Sequence, residues 1–235
     1  MSTPLLRIVG LNQAYGQSHI LHDIDLDVPQ GACICVMGRN GVGKTTLMRA
    51  IMGQLPVRSG QILFDGANLA GRPTHERARR GIGFVPQGRE IFPRLTVAEN
   101  LQLGLAAAKA RVRRIPERIF ELFPVLQEMR QRRGGDLSGG QQQQLAIGRA
   151  LVLQPRLLIL DEPTEGIQPN IVADIGRIIH RLNQEEGLSV LLVEQKLTFA
   201  RMLAGYFYLM ERGAVVQAGP MAALSEAMVR EHLHV

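Results

Sequence analysis

The most constraining feature of this sequence is a glycine-rich loop between an apolar run and a helix-like segment. The loop spans residues 38–46 and reads GRNGVGKTT; the apolar run covers residues 33–37, and apolar side chains recur at helical spacing from Leu47 to Ile51. Successive backbone N–H groups of such a loop can surround a polyphosphate, and the following helix adds its positive N-terminal end. The context on both sides argues against a mere connecting turn, so the pattern predicts an α/β fold with a nucleotide site.

The side chains of this loop suit a nucleotide with its metal ion. Lys44 can reach the β and γ phosphates, and Thr45 is placed to bind Mg²⁺. The loop residues that we expect to contact the nucleotide are Gly38, Asn40, Gly41, Gly43, Lys44, Thr45 and Thr46.

Two adjacent carboxylates follow a second apolar run. Residues 157–160 are all Leu or Ile, and Asp161, Glu162 and Pro163 come next. Because open α/β sheets hold their ligands at the carboxyl ends of the strands, we expect Asp161 to bind Mg²⁺ and Glu162 to orient and polarise an attacking water. The alternative is a helix that starts at Pro163 with acidic residues as its cap.

The apolar pattern changes along the chain. Residues 5–30 alternate between apolar and polar side chains, as in half-buried antiparallel strands, whereas residues 33–37, 157–160 and 190–193 suit buried parallel strands. The Arg-rich region 88–135 predicts a mostly helical insertion into this core. Its two helix-like patches cover residues 98–110 and 117–130.

Composition restricts the class of protein. With 235 residues and 46% hydrophobic side chains, one main domain is expected, and no apolar run reaches the length of a membrane helix. Cys33 and Cys35 should pack as small hydrophobes on one strand face. The six histidines, His232 and His234 included, show no zinc pattern, so Mg²⁺ is the only metal expected.

A third motif gives the chain a family resemblance. Residues 137–141 read LSGGQ and precede a helix-like segment with Ala146 and Ala150 on its packing face. The glycine loop, this pentapeptide and the Asp-Glu strand together resemble the ATP-binding cassette (ABC) ATPases over essentially the whole chain. The resemblance implies a single α/β P-loop domain over residues 1–235 with a RecA-like parallel-sheet core and an N-terminal antiparallel β subdomain. The core would cover about 1–87 and 153–235, and a helical subdomain about 88–152.

The resemblance also implies how the site works. Two cassettes pack head to tail, so that Ser138, Gly139, Gly140 and Gln141 of one subunit close on ATP held by the other. Tyr15 would stack on adenine, and Gln87 would touch Mg²⁺ or the attacking water and connect the site to the helical insertion. The alternatives are that Tyr15 is an ordinary turn residue and that Gln87 is an ordinary polar loop residue.

Two positions depart from the usual family pattern. Gln195 stands where most cassettes place a histidine that senses the γ-phosphate, and Gln168 stands where many relatives carry an aspartate. Gln195 can donate a hydrogen bond to a phosphate but cannot transfer a proton at neutral pH. We therefore expect Gln195 to contribute to the site together with Lys44, Gln87 and the base Glu162.

Three strings narrow the resemblance to the branched-chain amino-acid class of bacterial uptake ATPases, and most of all to its urea-transporter branch. They are QGREIFP at 87–93, EPTEGIQP at 162–169 and VEQ at 193–195. The class implies a second, non-identical ATPase subunit, with a homodimer as the alternative for the isolated chain. It also implies two membrane permeases, a periplasmic solute-binding protein, and a peripheral location on the cytoplasmic face of the inner membrane.

The expected function is that of an ATP-hydrolysing motor for import of urea or short-chain amides, with branched-chain amino acids as the alternative cargo. Residues 88–100 would dock a permease helix, unless their apolar side chains belong to the core of the cassette itself. The expected contacts are Ile91, Phe92, Leu95, Arg89 and Arg94.

A soluble ABC ATPase acting on DNA or ribosomes is less favoured, although the formal net charge is +6. The arginines are scattered without interleaved aromatic residues, so no nucleic-acid partner is expected. They stand at positions 77, 79, 80, 111, 113, 114, 130, 132 and 133.

Overall fold

The computed structural model describes residues 4–107 and 114–233 and contains two β-sheets flanked by helices. Arg111, Arg113 and His234 lie outside the described residues. The strands are β1 Leu6–Tyr15, β2 Ser18–Val28, β3 Cys33–Met37, β4 Ser59–Phe64, β5 Ala67–Asn68, β6 Ile82–Val85, β7 Leu157–Asp161, β8 Ser189–Val193, β9 Tyr206–Glu211 and β10 Ala214–Pro220. The α-helices are α1 Lys44–Ile51, α2 Thr74–Arg79, α3 Val97–Gly104, α4 Glu117–Leu122, α5 Pro124–Glu128, α6 Gly139–Leu151, α7 Pro169–Glu186, α8 Leu197–Leu203 and α9 Glu226–His232.

The six-stranded sheet positions the candidate site. Its order is β10-β9-β3-β8-β7-β6, and all neighbours pair in parallel except β10, which runs antiparallel to β9 at the edge. Every residue of β3, β7 and β8 is buried, as the continuous apolar runs predict. Because parallel strands share one carboxyl edge, the segments that follow β3, β6, β7 and β8 meet there.

The first strands form the predicted antiparallel sheet, with the order β2-β1-β4-β5. Its buried face packs on α1 and on one face of the six-stranded sheet, whereas α6, α7 and α8 pack on the other face. Cys33 and Cys35 both point to the α6 side, which confirms their prediction as core residues. Burial raises the pKa of the Cys33 thiol to about 12, so this side chain stays protonated and unreactive.

The helical insertion is more broken than the sequence pattern suggests. The patch predicted at 98–110 ends its α-helix at Gly104 and continues as a 3₁₀ turn, Leu105–Ala107, and its last residues lie outside the described part. The patch predicted at 117–130 divides into α4 and α5. Pro124 has no N–H to donate and forces Phe123 out of the helical region, to φ −132° and ψ 75°.

No helix in the described residues combines the length and the apolar character that crossing a bilayer requires.

Candidate functional site

The glycine loop joins β3 to α1, as predicted, and two of its glycines are sterically required. Gly38 has φ +151°, and a Cβ placed there would lie 2.4 Å from the backbone oxygen of Met210. Gly43 has φ +104° and immediately precedes the first residue of α1. A Cβ placed there would lie 2.9 Å from the side chain of Leu21. Only glycine fits these positions, so the backbone N–H groups stay open to a ligand.

Lys44 places a cation inside this loop. Its side chain is 5% exposed, and Nζ donates to the backbone oxygens of Gly38 and Arg39, each at 2.8 Å. Burial lowers the pKa of Lys44, and the carboxylates of Glu162 and Asp161 oppose this change. The ammonium is thus held at the centre of the loop, where phosphate oxygens can meet it.

Glu162 lies where three predicted site residues converge. Oε1 accepts a hydrogen bond from Gln195 Nε2 at 2.7 Å and lies 3.7 Å from Lys44 Nζ. Oε2 accepts a hydrogen bond from Gln87 Nε2 at 3.2 Å. Both carboxylate oxygens are therefore held in position by side chains from three different segments.

The backbone at Glu162 excludes the alternative of a helix that starts at Pro163. Glu162 has φ +49°, its N–H donates to the backbone oxygen of Val193 at 2.9 Å, and the following residues form turns. Helix α7 begins only at Pro169, with Gln168 as its N-cap residue. Because the backbone of Glu162 adopts the left-handed region, strand β7 stops before it and the Glu162 side chain turns into the site.

Asp161 is a buried carboxylate next to the Thr45 side chain. It is 1% exposed, and no group in the described residues meets normal hydrogen-bond geometry at either carboxylate oxygen. Burial raises the pKa of Asp161 to about 6, although the neighbouring Thr45 side chain and the charge of Lys44 each lower this pKa. Two orphaned oxygens beside the Thr45 hydroxyl fit the oxygen ligands that Mg²⁺ prefers.

The described residues hold no cluster of three or more His, Cys, Asp or Glu side chains that could bind a metal. Mg²⁺ is usually bound by one or two protein oxygens together with substrate phosphates, so Thr45 and Asp161 suffice for it. Gln87 and Thr45 line the same cleft, so the Gln87 amide oxygen is a further ligand of the type that Mg²⁺ accepts.

Lys44, Thr45, Gln87 and Glu162 line a cleft of about 440 Å³. Of the predicted nucleotide contacts, Asn40, Gly41 and Thr46 lie on its wall. Tyr15 also lines the cleft, and its side chain is 47% exposed, so its ring is free to receive a base. The amide of Gln195 donates to Asn40 as well as to Glu162 and thereby connects the glycine loop with the carboxylate.

Three residues at the site were missed by the sequence reasoning. Glu165 accepts a hydrogen bond from Gln87 at 3.1 Å and lines the cleft. The buried carboxylate of Glu194 accepts from the Thr164 hydroxyl at 2.8 Å and thus fixes the segment after β7 to the segment after β8. Ile20 supplies an apolar wall. Glu194 was detectable as a charge directly after a buried strand.

Ser138, Gly139, Gly140 and Gln141 begin α6, away from the cleft. The Ser138 hydroxyl accepts from the Gln141 N–H at 3.3 Å, and the Gln141 side chain accepts from the Ser138 N–H at 2.9 Å. This is a capping box, which organises the helix N-terminus. At Gly140 a Cβ would lie 2.8 Å from Ile171 of α7. One chain therefore does not bring these residues to its own glycine loop.

Arg89 differs from its expected role as a permease contact. Its guanidinium donates to the backbone oxygen of Glu165 at 3.0 Å and to the side chain of Gln142 at 3.3 Å. The side chain thus points inward and connects the segment after β6 with α6. Ile91 packs partly on the core, whereas Phe92 is 49% exposed.

Comparisons with known proteins agree with this geometry. A model of the ABC transporter family matches residues 21–165. The chain is 42% identical over 211 residues to the high-affinity branched-chain amino acid transport ATP-binding protein BraG of Pseudomonas aeruginosa, covering 89% of this chain and 90% of BraG. It is 37% identical over 223 residues to the probable branched-chain amino acid transport ATP-binding protein LivF of Archaeoglobus fulgidus, covering 94% of each.

Among solved structures, the dimeric post-hydrolysis state of the ATP-binding cassette MJ0796 bound to ADP and Pi is similar, with a TM-score of 0.84. The sequence identity is 24%, over 92% of this chain and 98% of that chain, so this likeness shows the shared fold. The α/β P-loop fold and the ATPase activity with Mg²⁺ predicted from the sequence are thus confirmed. The chain belongs to the ABC transporter family of ATP-binding proteins and is a homologue of BraG and LivF.

Proposed function

We propose that this protein drives a bacterial importer whose cargo is urea or a short-chain amide, with branched-chain amino acids as the alternative. The convergence of Lys44, Gln87 and Gln195 on Glu162 is the observation that carries the motor function. The strings at 87–93, 162–169 and 193–195 favour urea. The names of BraG and LivF favour branched-chain amino acids.

The chemistry follows from where the side chains lie. Hydrolysis needs a water aligned with the γ-phosphate and a group that accepts its proton. Glu162 supplies that group, since Gln87 and Gln195 orient its two oxygens toward the cleft. Lys44 pairs with the phosphate oxygens, and Tyr15 stacks on the adenine. Thr45 and Asp161 would hold Mg²⁺, which neutralises charge on the phosphates when bound.

The position of Ser138 and Gly140 supports a head-to-tail pair of cassettes. Their helix N-terminus offers a hydroxyl and open N–H groups to an anion, yet it lies outside the cleft of its own chain. A second subunit would complete the site from the opposite side. We propose a second, non-identical ATPase subunit, two permeases and a periplasmic solute-binding protein as partners, on the cytoplasmic face of the inner membrane.

A separate groove of about 380 Å³ is the proposed permease site. Its lining includes the exposed side chains of Phe92 and Leu103 and the partly buried Phe84. The guanidinium of Arg149 stacks on the Phe92 ring with its carbon 5.4 Å from the ring centre. Apolar side chains with a few polar groups suit a short amphipathic helix. This groove contains Phe92 of the segment 88–100, but Arg89 does not line it.

Replacing Leu103 by aspartate should therefore uncouple transport from hydrolysis. A charge in the lining of this groove would oppose docking of an apolar helix, whereas the ATP cleft would be untouched. We expect uptake in cells to fall at least about tenfold, as a loss of roughly 1.4 kcal/mol in docking would cause, while the purified chain keeps its ATPase rate. Val216→Asp is the matched control, because Val216 is 44% exposed, Leu103 is 43% exposed, and only Leu103 lies at the groove. Equal losses of uptake in both variants would contradict the docking site.

The cargo is tested by uptake of radiolabelled urea and of leucine, side by side, in cells whose only copy of this subunit carries Glu162→Gln. Cells with the unchanged subunit are the control. Loss of urea uptake with leucine uptake intact is the expected result. Loss of leucine uptake alone would assign the motor to amino acids and contradict the urea proposal. Unchanged uptake of both solutes would contradict the importer role for these cargoes.

A further inference from the structure

The C-terminal helix α9 contacts the phosphate-binding loop through Arg39. The Arg39 side chain turns away from the ATP cleft, and its Nη2 donates to the backbone oxygen of Glu231 at 3.0 Å. Glu231 lies in the last turn of α9, where backbone oxygens have no partner within the helix. Arg39, the second residue of the glycine loop, is therefore hydrogen-bonded to a residue 192 positions later in the chain.

A second path joins α9 to the same loop. The ring of His232, whose side chain is 9% exposed, has Nδ1 3.1 Å from a carboxylate oxygen of Glu211 at the end of β9. Two residues later, the N–H of Gly213 donates to the backbone oxygen of Val42 in the glycine loop at 3.0 Å. The β9–β10 turn is thus placed between α9 and the loop, and any Cβ at Gly213 would lie 1.9 Å from the backbone oxygen of Ile20. This packing leaves the turn little room to move.

Helix α9 is itself anchored in the core. Val229 is buried, and Leu224 and Met221, just before the helix, belong to the same hydrophobic cluster. The guanidinium of Arg201 in α8 donates to the backbone oxygen of Leu224 at 3.0 Å. The helix therefore offers the loop a fixed support.

We infer that Arg39 is a positioning residue, and that α9 holds the phosphate-binding loop in its ATP-binding conformation through Arg39 and through the His232–Glu211 contact. Neither contact touches Glu162, Gln87 or the phosphates. Losing them should consequently weaken ATP binding without slowing hydrolysis once ATP is bound. Both contacts act on the ATP cleft alone, whatever solute the transporter moves.

The test measures KM and kcat for MgATP hydrolysis by the purified full chain, together with the Kd of a fluorescent ATP analogue. Arg39→Ala should raise KM and Kd about fivefold, as expected for the loss of one solvent-exposed hydrogen bond, with kcat within about twofold. Deletion of residues 226–235 should raise KM at least as much. Adding Arg39→Ala to the deletion should give no further rise, because both remove the same contact.

Arg230→Ala is the matched control, since Arg230 lies on the exposed side of α9 and, among the residues that the structure describes, pairs only with Glu226 of the same helix. It should leave KM and kcat unchanged. If the shortened chain does not fold, as judged by its thermal unfolding, His232→Ala together with Arg39→Ala tests the same two paths in the full chain. A rise in KM for Arg39→Ala that is absent from the deletion, or no rise in either, would overturn the inference.

Discussion

Replacing Glu162 by glutamine should reduce ATP hydrolysis by about 10²–10⁴-fold, the range for loss of a general base, while ATP binding persists. The amide keeps the size of the carboxylate, so Gln195 and Gln87 can still contact it. It cannot accept a proton from water. Removing the negative charge 3.7 Å from Lys44 should, if anything, favour the anionic nucleotide.

The measurement is single-turnover hydrolysis with Mg²⁺, beside equilibrium binding of a fluorescent ATP analogue. Glu165→Gln is the matched comparison, because Glu165 also lines the cleft and accepts from Gln87 but is not paired with Lys44 or Gln195. The hydrolysis rate of Glu165→Gln should fall much less than that of Glu162→Gln. Near-normal hydrolysis by Glu162→Gln, or an equal loss in both variants, would show that another group is the base.

The candidate site was largely predictable because it is built from strand ends. A buried parallel strand is an apolar run in the sequence, and the polar residue after each run must emerge at the common carboxyl edge of the sheet. The glycine loop with Lys44 and the acidic pair with Glu162 could therefore be placed at this edge before any contact was known, whereas Gln87 and Gln195 were expected there from the family resemblance. These side chains can reach one another because the four strands that precede them, β3, β6, β7 and β8, are neighbours in the sheet and end at the same level.

The remaining contacts depend on long-range packing that no local pattern records. Arg89 was expected to face a permease, yet its positive φ of 70° directs the side chain inward, to α6 and the turn after β7. The hydrogen bond from Arg39 to α9 joins two residues 192 positions apart, which only the complete fold brings together. The break between α4 and α5 was readable from Pro124, but the apolar spacing across it suggested one helix.

Asp161→Asn should make the nucleotide-free protein more stable and far less active. Burial raises the folded-state pKa of Asp161 to about 6, above the ordinary value of 3.8. The folded protein then holds the proton more tightly than the unfolded chain, so stability falls as the pH rises from about 4 to 6 and stays lower above that range. A shift of about two pKa units corresponds to about 3 kcal/mol, a value that already includes the opposing attraction to Lys44.

The experiment compares unfolding by urea in EDTA, without nucleotide, at pH 7.5 and pH 4. At pH 7.5 the free energy of unfolding of Asp161→Asn should exceed that of the unchanged protein by about 3 kcal/mol. At pH 4 the two should nearly coincide, because the carboxyl group in the folded protein is then protonated and uncharged. The partly exposed Asp174, which pairs with Arg177 on α7, supplies the control Asp174→Asn, with little effect at either pH.

Hydrolysis should respond in the opposite direction, because the amide offers Mg²⁺ one neutral oxygen in place of a carboxylate. We expect Asp161→Asn to lose about 10²-fold or more of its Mg²⁺-dependent rate, the scale of losing charge stabilisation at a phosphoryl-transfer site. A variant that is less stable at pH 7.5, or equally stabilised at both pH values, would show that ionised Asp161 does not strain the fold. The combined result would mean that this carboxylate is kept buried and unpartnered at the expense of stability, because metal binding requires it.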